Sequence, residues 1–534
     1  MLPHLRRSSE NPEHGVALKS IVVIGAGVGG LVAARELARK GFGVTLLDAA
    51  DEAGGCVATH TVAGIRLDSG AESYATRGGT VARFLAEIGL ADAIVSPNPA
   101  GAWVQLDGFA APLPKNTLLG IPGVPLADDV RRIIGWSGAI RAQLDRYMPL
   151  VRVRRETDLG DIVRRRMGQK VLDRLVAPIV SGVHSAHPDL VDVHAVAPGL
   201  TAAMTTQGSL SGAVMSLIAR RGAAAQGARP DITGASAANG VAGARAGSAV
   251  GGIDGGMYRL VDALVADCAR LGVDVRLGSV VAGIRRVPNN TPGQAEWMTV
   301  LGDGAVLGSH GVVVAAGFRA ALALLASLPP ADAAPSDLAG PAASSGLGDL
   351  SEPSDLAALT RSSEWPGSSA VTLATLVLDA PALDAAPRGS GVLVAEDVTS
   401  VGAKALTHAT AKWPWLARDA GPGRHVVRLS YGRGGEGQAP SAVTQAQALA
   451  DASTLLDTPL DETMVQGFAL TEWRDSLAFA TGGHRARVDE LVEAIHEHPG
   501  LEVVGAWISG TGLAYVIDGS RVKASELAAR LHRS

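Results

Sequence analysis

Three glycines stand at a spacing that suits the binding of a pyrophosphate. Gly25, Gly27 and Gly30 form the pattern G-x-G-x-x-G within the stretch IVVIGAGVGG. The first glycine permits a tight turn, the second lets the backbone approach the phosphates, and the third lets a helix pack closely on a strand. The free N–H groups and the dipole at the start of that helix then face the negative charge. The motif predicts a dinucleotide site.

An acidic residue follows where such a site needs one. Asp48 comes 18 residues after Gly30, at the end of the second predicted strand. A carboxylate at this place accepts hydrogen bonds from ribose hydroxyls. A glycine-rich turn without a ligand is the alternative, but the strand, the helix and the acid together favour a bound dinucleotide.

Two more segments supply small or acidic residues. Gly54 and Gly55 give a second turn that a ligand could approach closely, and residues 65–73 (IRLDSGAES) contain Glu72. Taken alone, the glycine pair is an ordinary loop and Glu72 is a solvated acid. Near the C-terminus, GAWISGTGLAYVIDGSRVKASELAARL places four glycines ahead of an amphipathic helix: Gly505, Gly510, Gly512 and Gly519.

The surrounding pattern predicts the elements that position these residues. Residues 21–24 form a buried strand, 31–40 a helix and 44–47 a second strand, which is a βαβ unit. Residues 120–220 are mostly helical in period, and residues 370–434 alternate as short strands. Two later segments are typical of strands that return to the first domain: GVDVRLGSVVAGIRRV and GVVVAAG.

Composition excludes several classes of function. The 534 residues include 47 basic and 52 acidic side chains, for a net charge of −5, so no field exists to hold nucleic acid. Cys56 and Cys268 match no metal or redox spacing and are expected to be small buried residues in a reducing compartment. No apolar window reaches the roughly 18 residues of a membrane span. Residues 1–18 are predicted to be a flexible leader.

The glycine segments resemble those of amine-oxidase-type FAD enzymes, and three further stretches resemble the porphyrinogen oxidase family within that superfamily. GAKALTHATAKWPWLA resembles the family's Lys-Trp-Pro run at Lys412, Trp413 and Pro414. EWRDSLAFATGGHRARV resembles its segment that runs from Trp473 and Arg474 to Gly483 and His484. SGVHSAHPDLVDV resembles its S-G-V-y-A-G-D-P element, and the resemblance covers nearly the whole chain.

Some positions depart from the family pattern. His184, Ala186 and His187 replace the aromatic residue and the Gly-Asp of the last element, and Ala478 and Phe479 replace a Pro-Gln pair. Ala102 stands where mitochondrial-type members carry an arginine, which favours the bacterial branch that uses coproporphyrinogen. The histidines have no zinc spacing, so no metal site is expected.

The resemblance implies a cofactor, a reaction and a set of contacts. The cofactor is FAD, the substrate is a porphyrinogen, and O2 is the acceptor that becomes H2O2 after three two-electron dehydrogenations; product hand-over to a ferrochelatase is a further implication. No protein base is assigned, because loss of a pyrrole N–H proton accompanies hydride departure. Arg77 and Arg428 are candidates to hold propionates. The expected cofactor-binding residues are Gly25, Ala26, Gly27, Val28, Gly29, Gly30, Asp48, Ala49, Gly54, Gly55, Gly70, Ala71, Glu72, Ser73, Val280, Trp473, Gly510, Gly512, Leu513 and Val516.

The expected fold class is α/β plus α+β, with a Rossmann-like FAD-binding domain, a mixed-sheet substrate domain and a helical subdomain. The FAD-binding domain comprises residues 19–74, 252–328 and 498–534. The substrate domain comprises 75–118, 206–220 and 370–497, the helical subdomain 119–205, and flexible insertions 221–251 and 329–369. The expected location is the cytoplasm, with peripheral membrane contact left open.

Four alternatives remain open at this point: a protoporphyrinogen IX oxidase, a flavin amine oxidase, a carotenoid-type desaturase, and a non-catalytic flavin- or porphyrin-binding partner in haem assembly. Many amine oxidases carry a cysteine near the last glycine segment, and this chain has none after Cys268. Desaturases share the first glycine motif but lack the Lys-Trp-Pro run.

Overall fold

The strands and helices of the protein alternate along much of the chain. The computed structural model describes residues 18–149, 158–184, 187–227, 250–287, 294–328, 355–362, 365, 370–432, 442–474 and 483–533. The strands are β1 Ser20–Ile24, β2 Gly43–Leu47, β3 Thr59–Val62, β4 Ile65–Asp68, β5 Tyr74–Ala75, β6 Ile94–Val95, β7 Trp103–Leu106, β8 Phe109–Pro112, β9 Thr117–Leu118, β10 Ile121–Pro122, β11 Val250–Ile253, β12 Asp274–Arg276, β13 Val281–Arg286, β14 Trp297–Leu301, β15 Val306–Ser309, β16 Gly311–Val314, β17 Ala370–Asp379, β18 Gly391–Val394, β19 Ala405–His408, β20 Arg424–Tyr431, β21 Val465–Arg474 and β22 Leu501–Val503.

The helices complete the element order. They are α1 Val28–Arg39, α2 Thr80–Glu87, α3 Asp128–Gln143, α4 Leu159–Met167, α5 Gln169–Val171, α6 Ala177–His184, α7 Val193–Val196, α8 Leu200–Gln207, α9 Leu210–Gly227, α10 Tyr258–Arg270, α11 Phe318–Ala326, α12 Asp355–Arg361, α13 Ala409–Lys412, α14 Pro414–Ala420, α15 Gln445–Leu456, α16 His484–His496, α17 Ala506–Ser509 and α18 Leu513–Arg533.

A parallel five-stranded sheet carries the first glycine motif, in the order β12-β2-β1-β16-β22. Its strands come from four widely separated parts of the chain. Residues 21–24 are buried on both faces, as their uninterrupted apolar run predicts. The predicted βαβ unit is confirmed as β1, α1 and β2, with α1 starting at Val28 because Gly27 takes an extended ψ of 171° before it.

A mixed seven-stranded sheet forms the second layer, in the order β21-β17-β20-β19-β18-β7-β8. Along its central strands, successive side chains point to opposite faces of the sheet. Leu376 and Leu429 point into a core shared with the helices between residues 128 and 227. On the other face, Thr375, Val426 and Arg428 line a cleft. One strand pair therefore serves both the core and the cleft.

The predicted helical region is confirmed as α3 to α9. A buried ion pair holds part of this helical region together. The Arg166 Nε donates to Asp145 Oδ1 at 2.6 Å, and the Asp145 carboxylate also accepts from the main-chain N–H groups of Leu210 and Ser211. The Asp145 side chain is fully buried. The contact ties α4 to the start of α9 through the turn after α3.

Several expectations need correction. Helix α9 continues to Gly227 and α12 lies within 329–369, so the two insertions are partly helical; the rest of both, and residues 1–17 of the leader, lie outside the described residues. Strands β12 and β16, from the two segments expected to return to the first domain, do join the first sheet, whereas β13 pairs with β14 and β15 in its own antiparallel sheet. Cys268 is buried as expected, whereas Cys56 is exposed on a loop. Among the helices described, none is both long and apolar enough to cross a membrane.

Candidate functional site

Two glycines of the first motif are required by the protein's own packing. Gly25 has a φ of 112°, and a Cβ there would lie 2.6 Å from the Ala315 carbonyl oxygen of the neighbouring strand segment. A Cβ on Gly30 would collide with the Gly25 carbonyl oxygen. Neither position therefore needs a ligand to explain it.

Gly27 is different, because nothing in the protein demands a glycine there. Its φ of −65° and ψ of 171° suit any residue, and a Cβ added to it would meet no atom within 4 Å. The open space lies directly before α1, where unpaired N–H groups and the helix dipole favour an anion. The absence of a side chain thus leaves room for a group outside the chain, and this cradle fits a pyrophosphate.

Asp48, just after β2, stabilises the same turn through hydrogen bonds. Its Oδ2 accepts from the Ala26 N–H at 2.5 Å and its Oδ1 from the Ala50 N–H at 2.8 Å, next to the exposed Ala49. Ser279 donates its N–H to the Asp48 carbonyl at 2.6 Å, which brings the adjoining Val280 to this edge with 55% of its surface exposed. Asp48 and Val280 therefore lie at the same edge of the site.

The second glycine pair faces the first motif. Gly54 donates its N–H to the Ala26 carbonyl at 2.8 Å, and a Cβ on Gly55 would lie 3.3 Å from the Gly27 Cα. Both glycines have positive φ values, 121° and 59°. The two turns thus border one open space.

The last glycine segment reaches the first across nearly the full chain. Gly29 lies against α18, with its Cβ position 3.4 Å from Val516 and 3.3 Å from the Ser520 hydroxyl. Gly510 and Gly512 have φ values of 106° and 117° and lead into α18, which begins at Leu513. The expectation that all four glycines precede this helix is wrong for Gly519, which lies inside α18 and allows close approach of Ser509.

A third segment, residues 68–73, runs between the two layers. The Ala71 N–H donates to the Cys56 carbonyl at 2.9 Å, and a Cβ on Gly70 would collide with the same carbonyl. From the seven-stranded sheet, the Trp473 Nε1 donates to the Ser69 carbonyl at 3.0 Å. Ser73 ends the segment just before β5. The structure therefore brings Trp473 beside Gly70, although 404 residues of sequence separate Trp473 from Ser69.

Glu72 lies between two cations of the substrate-side sheet and its adjoining helix. Its Oε1 is 2.5 Å from Lys412 Nζ, and its Oε2 is 3.2 Å from an Arg428 guanidinium nitrogen. Burial acts to raise the pKa of Glu72, but the charges of Lys412 and Arg428 outweigh it and lower the pKa to about 2. Glu72 is therefore a permanent buried anion, not a solvated acid.

Lys412 reaches this place because of the Lys-Trp-Pro run. Pro414 starts α14 at its first position, where proline is favoured, and the residue before a proline avoids helical geometry. Helix α13 consequently ends at Lys412, and Trp413 packs with 2% of its surface exposed, against Gly252. Lys412 is not a solvated surface charge, since its side chain is 17% exposed and paired with Glu72.

Asp68, at the end of β4, is a second carboxylate of the same region. It accepts from the main-chain N–H groups of Met257 and Tyr258, at 2.9 and 3.0 Å, where α10 begins. Burial raises the pKa of Asp68 to about 6, against the lowering effects of these hydrogen bonds and of Arg428. Sequence reasoning did not single out this residue. No local signal could have found it, because the helix start that it contacts lies 189 residues further along the chain.

A cleft opens where these groups meet. Asp68, Glu72 and Arg428 supply its polar wall, and the remaining lining is apolar or weakly polar: Leu67, Thr375, Ala409, Trp413, Trp415, Leu416 and Val426. The chemistry of this lining suits the apolar face of a ligand that also carries a few polar groups.

The remaining predicted residues are placed as follows. Arg428 donates to the Asp68 carbonyl at 3.2 Å and the Gly70 carbonyl at 2.8 Å, besides its contact with Glu72. It therefore holds the 68–72 segment, and a role with propionates stays a prediction. Arg77 stands in a short 3-10 turn, and its side chain is outside the described part.

The histidines of the family-like elements are occupied by protein contacts. His187 Nε2 lies 3.3 Å from Glu396, and its Nδ1 accepts the Asp189 N–H. His484 Nε2 bonds the Trp507 carbonyl at 2.9 Å. The side chain of His184 is outside the described part. One cluster with ligand-like geometry, His496 with Glu502 and Glu526, was not anticipated, and its Glu502 carboxylate is already paired with Arg530 at 2.7 Å.

Comparison with known proteins agrees with this architecture. Residues 28–532 match the family described as "Flavin containing amine oxidoreductase". The chain is 27% identical over 503 residues, 93% of its own length and 95% of the relative's, to "Coproporphyrinogen III oxidase" of Mycobacterium leprae (strain TN). It is 22% identical over 523 residues, 95% and 97% of the two chains, to the protein of the same name of Bacillus subtilis (strain 168).

A solved structure is similar as well. The crystal structure of a putative protoporphyrinogen oxidase from Exiguobacterium sp. 255-15 superposes with a TM-score of 0.72 at 20% identity, covering 96% of this chain and all of the other. At this identity the likeness shows the fold alone. It confirms the expected Rossmann-like domain joined to a mixed-sheet domain and a helical region.

A flavin fits the site as built. Gly27 leaves an open cradle for the pyrophosphate, Asp48 and Val280 stand at one end, and the segment from Gly70 to Ser73 stands at the other, beside the cleft. When bound, a flavin supplies a two-electron acceptor, while the chain supplies binding and orientation. With the glycine turns, the converging terminal helix and the match across residues 28–532 all in agreement, the chain belongs to the family of flavin-containing amine oxidoreductases.

Proposed function

We propose that the protein oxidises coproporphyrinogen III to coproporphyrin III, with FAD as cofactor and O2 as acceptor, in haem biosynthesis. The observation that carries the proposal is the full-length similarity to coproporphyrinogen III oxidases, which spans 93% to 95% of this chain. The motifs that match this group fall at the cleft itself: Lys412 contacts Glu72, and Trp413 forms part of the wall.

The proposed cofactor contacts follow the open spaces of the site. The pyrophosphate of FAD would lie at Gly27 and Gly55, and the ribose would lie near Asp48. The ring would lie between the segment Gly70–Ser73, Trp473 and the turn before Leu513. These contacts are supported by the convergence of the four segments, which sequence spacing alone would leave apart.

The chain's own residues perform three tasks in this reaction. Trp413, Trp415 and Leu416 offer an apolar wall to the tetrapyrrole face and keep water away. Arg428 and Trp473 hold the segment that borders the ring, through the Gly70 and Ser69 carbonyls. Glu72 balances the buried charges of Lys412 and Arg428, so the apolar cleft does not carry an uncompensated pair of cations.

The reaction itself balances as three equal steps. Each step removes a hydride from a meso carbon and a proton from a pyrrole nitrogen, and each pair of electrons reduces one O2 to H2O2. Three such steps, together with the shift of one proton from the last meso CH2 carbon to a pyrrole nitrogen, convert the porphyrinogen to the aromatic porphyrin. Hand-over of the product to a ferrochelatase, and contact with a membrane surface, are parts of the proposal that follow from the family resemblance.

Oxygen consumption with anaerobically prepared porphyrinogens tests the proposal. We expect one H2O2 per O2, three O2 per porphyrin formed, and a higher kcat/KM with coproporphyrinogen III than with protoporphyrinogen IX. Fluorescence of the aromatic product reports turnover independently of peroxide. A protein that oxidises benzylamine or a polyamine and leaves both porphyrinogens unchanged would instead be an amine oxidase. A strong preference for protoporphyrinogen IX would reject the substrate assignment.

A further inference from the structure

Each proposed dehydrogenation needs a destination for one proton. When hydride leaves the meso carbon, a C–H bond and a pyrrole N–H bond both break, and the N–H electron pair becomes part of a new C=N bond. A bound flavin would accept the hydride, and O2 would accept its electrons. In an apolar cleft, the proton requires an acceptor within hydrogen-bond reach, and a positioned base typically contributes 100- to 10,000-fold to such a step.

The cleft offers three ionisable side chains among its lining residues: Asp68, Glu72 and Arg428. A guanidinium has donors only and cannot take a proton. Glu72 is held as an anion by Lys412 at 2.5 Å and by Arg428 at 3.2 Å, so its affinity for a proton is very low. Asp68 is the remaining candidate.

Asp68 has the surroundings of a proton acceptor. Its carboxylate is held in place by the N–H groups of Met257 and Tyr258, so the group keeps a fixed orientation at the cleft wall. Leu67 and Leu416 line the cleft with it. Its residue is partly exposed, which leaves a route for the proton to solvent between steps.

The charged and titratable groups around Asp68 set its affinity for protons. Burial is the largest influence and raises its pKa, the nearby Glu72 anion raises it further, and Arg428 lowers it. Tyr258 interacts with it from α10, and Arg66 lies over the Tyr258 ring at 3.9 Å while pairing with Asp262. The result is a pKa of about 6 for Asp68, against about 2 for Glu72. Two carboxylates with such different environments commonly divide their roles.

We propose that the Asp68 carboxylate accepts the pyrrole N–H proton that leaves in each dehydrogenation, an assignment that rests on the proposed oxidation of a porphyrinogen. The carboxylate becomes a carboxylic acid as the C=N bond forms, and it returns the proton to solvent before the next step. Its hydrogen bonds to the start of α10 keep the anion available at neutral pH. Glu72 stays ionised throughout and positions Lys412 and Arg428.

Substitution of Asp68 with chemical rescue tests the assignment. In Asp68→Asn the side chain keeps one acceptor for the α10 N–H groups but no longer takes a proton, so we expect kcat to fall about 100-fold. In Asp68→Ala we expect a similar loss of kcat. Added formate should raise the kcat of this variant about 10-fold, because it can enter the vacated space as a substitute base. The pH profile of wild-type kcat/KM should rise through about pH 6, because the ionised form of Asp68 is the active one, and this limb should disappear in Asp68→Asn.

The matched control is Asp262→Asn, which removes a carboxylate of α10, the helix whose start Asp68 contacts; the Asp262 side chain is 53% exposed and is not part of the cleft lining. Its kcat and pH profile should match the wild type, with no effect of formate. Flavin absorbance and thermal melting of each variant confirm that the holoenzyme is intact. If Asp68→Ala does not fold, Asp68→Asn carries the test through its pH profile.

The outcomes separate this inference from the proposed function. Suppose that the wild type oxidises a porphyrinogen and that Asp68→Asn keeps its kcat within threefold or keeps the pH-dependent limb near pH 6. That result overturns the role of Asp68 and leaves the proposed function standing. A folded, flavin-loaded Asp68→Ala enzyme that does not respond to formate also overturns it. A wild-type enzyme that oxidises neither porphyrinogen rejects both.

Discussion

The Glu72 carboxylate lies 2.5 Å from the ammonium nitrogen of Lys412, although the two residues are 340 positions apart in sequence. The contact joins the loop after β4 to the end of α13, beside the cleft. Arg428 completes the same junction from β20. Since all three side chains are at least 83% buried, their charges depend on one another.

Removal of the Glu72 charge should destabilise the protein strongly. In Glu72→Gln, Lys412 and Arg428 remain buried without a counter-charge, and we expect a loss of about 3 kcal/mol in the free energy of unfolding. The measurement is urea-induced unfolding followed by tryptophan fluorescence. A matched control is Glu87→Gln, which breaks a half-exposed pair with Arg521 and should cost less than about 1 kcal/mol.

A double variant tests whether the loss arises from the unpaired cation. Lys412→Met in the Glu72→Gln background removes one of the two buried charges, and we expect it to recover part of the lost stability. If the double variant instead lost as much stability as the two single variants added together, Glu72 and Lys412 would not be directly coupled.

Gly27→Ala should weaken flavin binding without unfolding the apoprotein. The added methyl group meets no protein atom within 4 Å, but it occupies the space assigned to the pyrophosphate. We expect the dissociation constant for FAD to rise at least about 10-fold, equivalent to about 1.4 kcal/mol, while melting of the apoprotein stays unchanged. Titration of the apoprotein with FAD, followed by quenching of flavin fluorescence, measures the effect.

Two other glycines provide the comparison for Gly27. Gly43→Ala also adds a methyl group with nothing within 4 Å, but in β2 and away from the cradle, so FAD affinity should not change. Gly25→Ala places a methyl group 2.6 Å from the Ala315 carbonyl and should destabilise the apoprotein itself. Equal FAD affinity in Gly27→Ala and Gly43→Ala would show that the pyrophosphate lies elsewhere.

The free energy of unfolding should decrease at acidic pH, partly because of a buried histidine. His408 is fully buried, its Nε2 bonds His425 at 2.9 Å, and burial together with the neighbouring His425 lowers the pKa of His408 to about 4. Below about pH 6.5 the unfolded chain binds a proton at this residue that the folded protein does not bind, so the free energy of unfolding decreases as the pH falls from 6.5 to 4.

Replacement of this histidine tests the pH effect. We expect a shallower dependence between pH 6.5 and 4 in His408→Gln, whose amide still bonds His425 but does not titrate. Chemical denaturation at a series of pH values gives the slope. An unchanged slope in His408→Gln would mean that other groups cause the acid sensitivity.

The buried pair of Asp145 and Arg166 should matter for stability but not for catalysis. Asp145→Asn leaves Arg166 without its counter-charge and weakens the contacts to Leu210 and Ser211, with an expected loss of about 3 kcal/mol. Asp145 lies outside the cleft lining, so kcat at a temperature below the transition should be unchanged. Thermal melting and steady-state kinetics on the same preparation check both parts.

Local patterns in the sequence determined the first part of the site. The βαβ unit, Gly25 to Gly30 and the place of Asp48 follow from short-range rules, because turn geometry and helix packing restrict each residue from its immediate neighbours. The helical period of residues 120–220 predicted α3 to α9 for the same reason. The limits of these elements shifted by a few residues, as helix α1 shows, because end positions depend on contacts that no local pattern contains.

Only the tertiary structure decided how the distant charges meet. From sequence, Lys412 was part of the Lys-Trp-Pro run, Glu72 was an expected cofactor contact, and Asp68 carried no role. Strand pairing places Arg428 on the cleft face, and the proline after Trp413 ends α13 at Lys412, so both cations reach the loop after β4. Long-range contacts of this kind depend on register and layer packing, and the burial they produce sets the pKa values of Glu72 and Asp68.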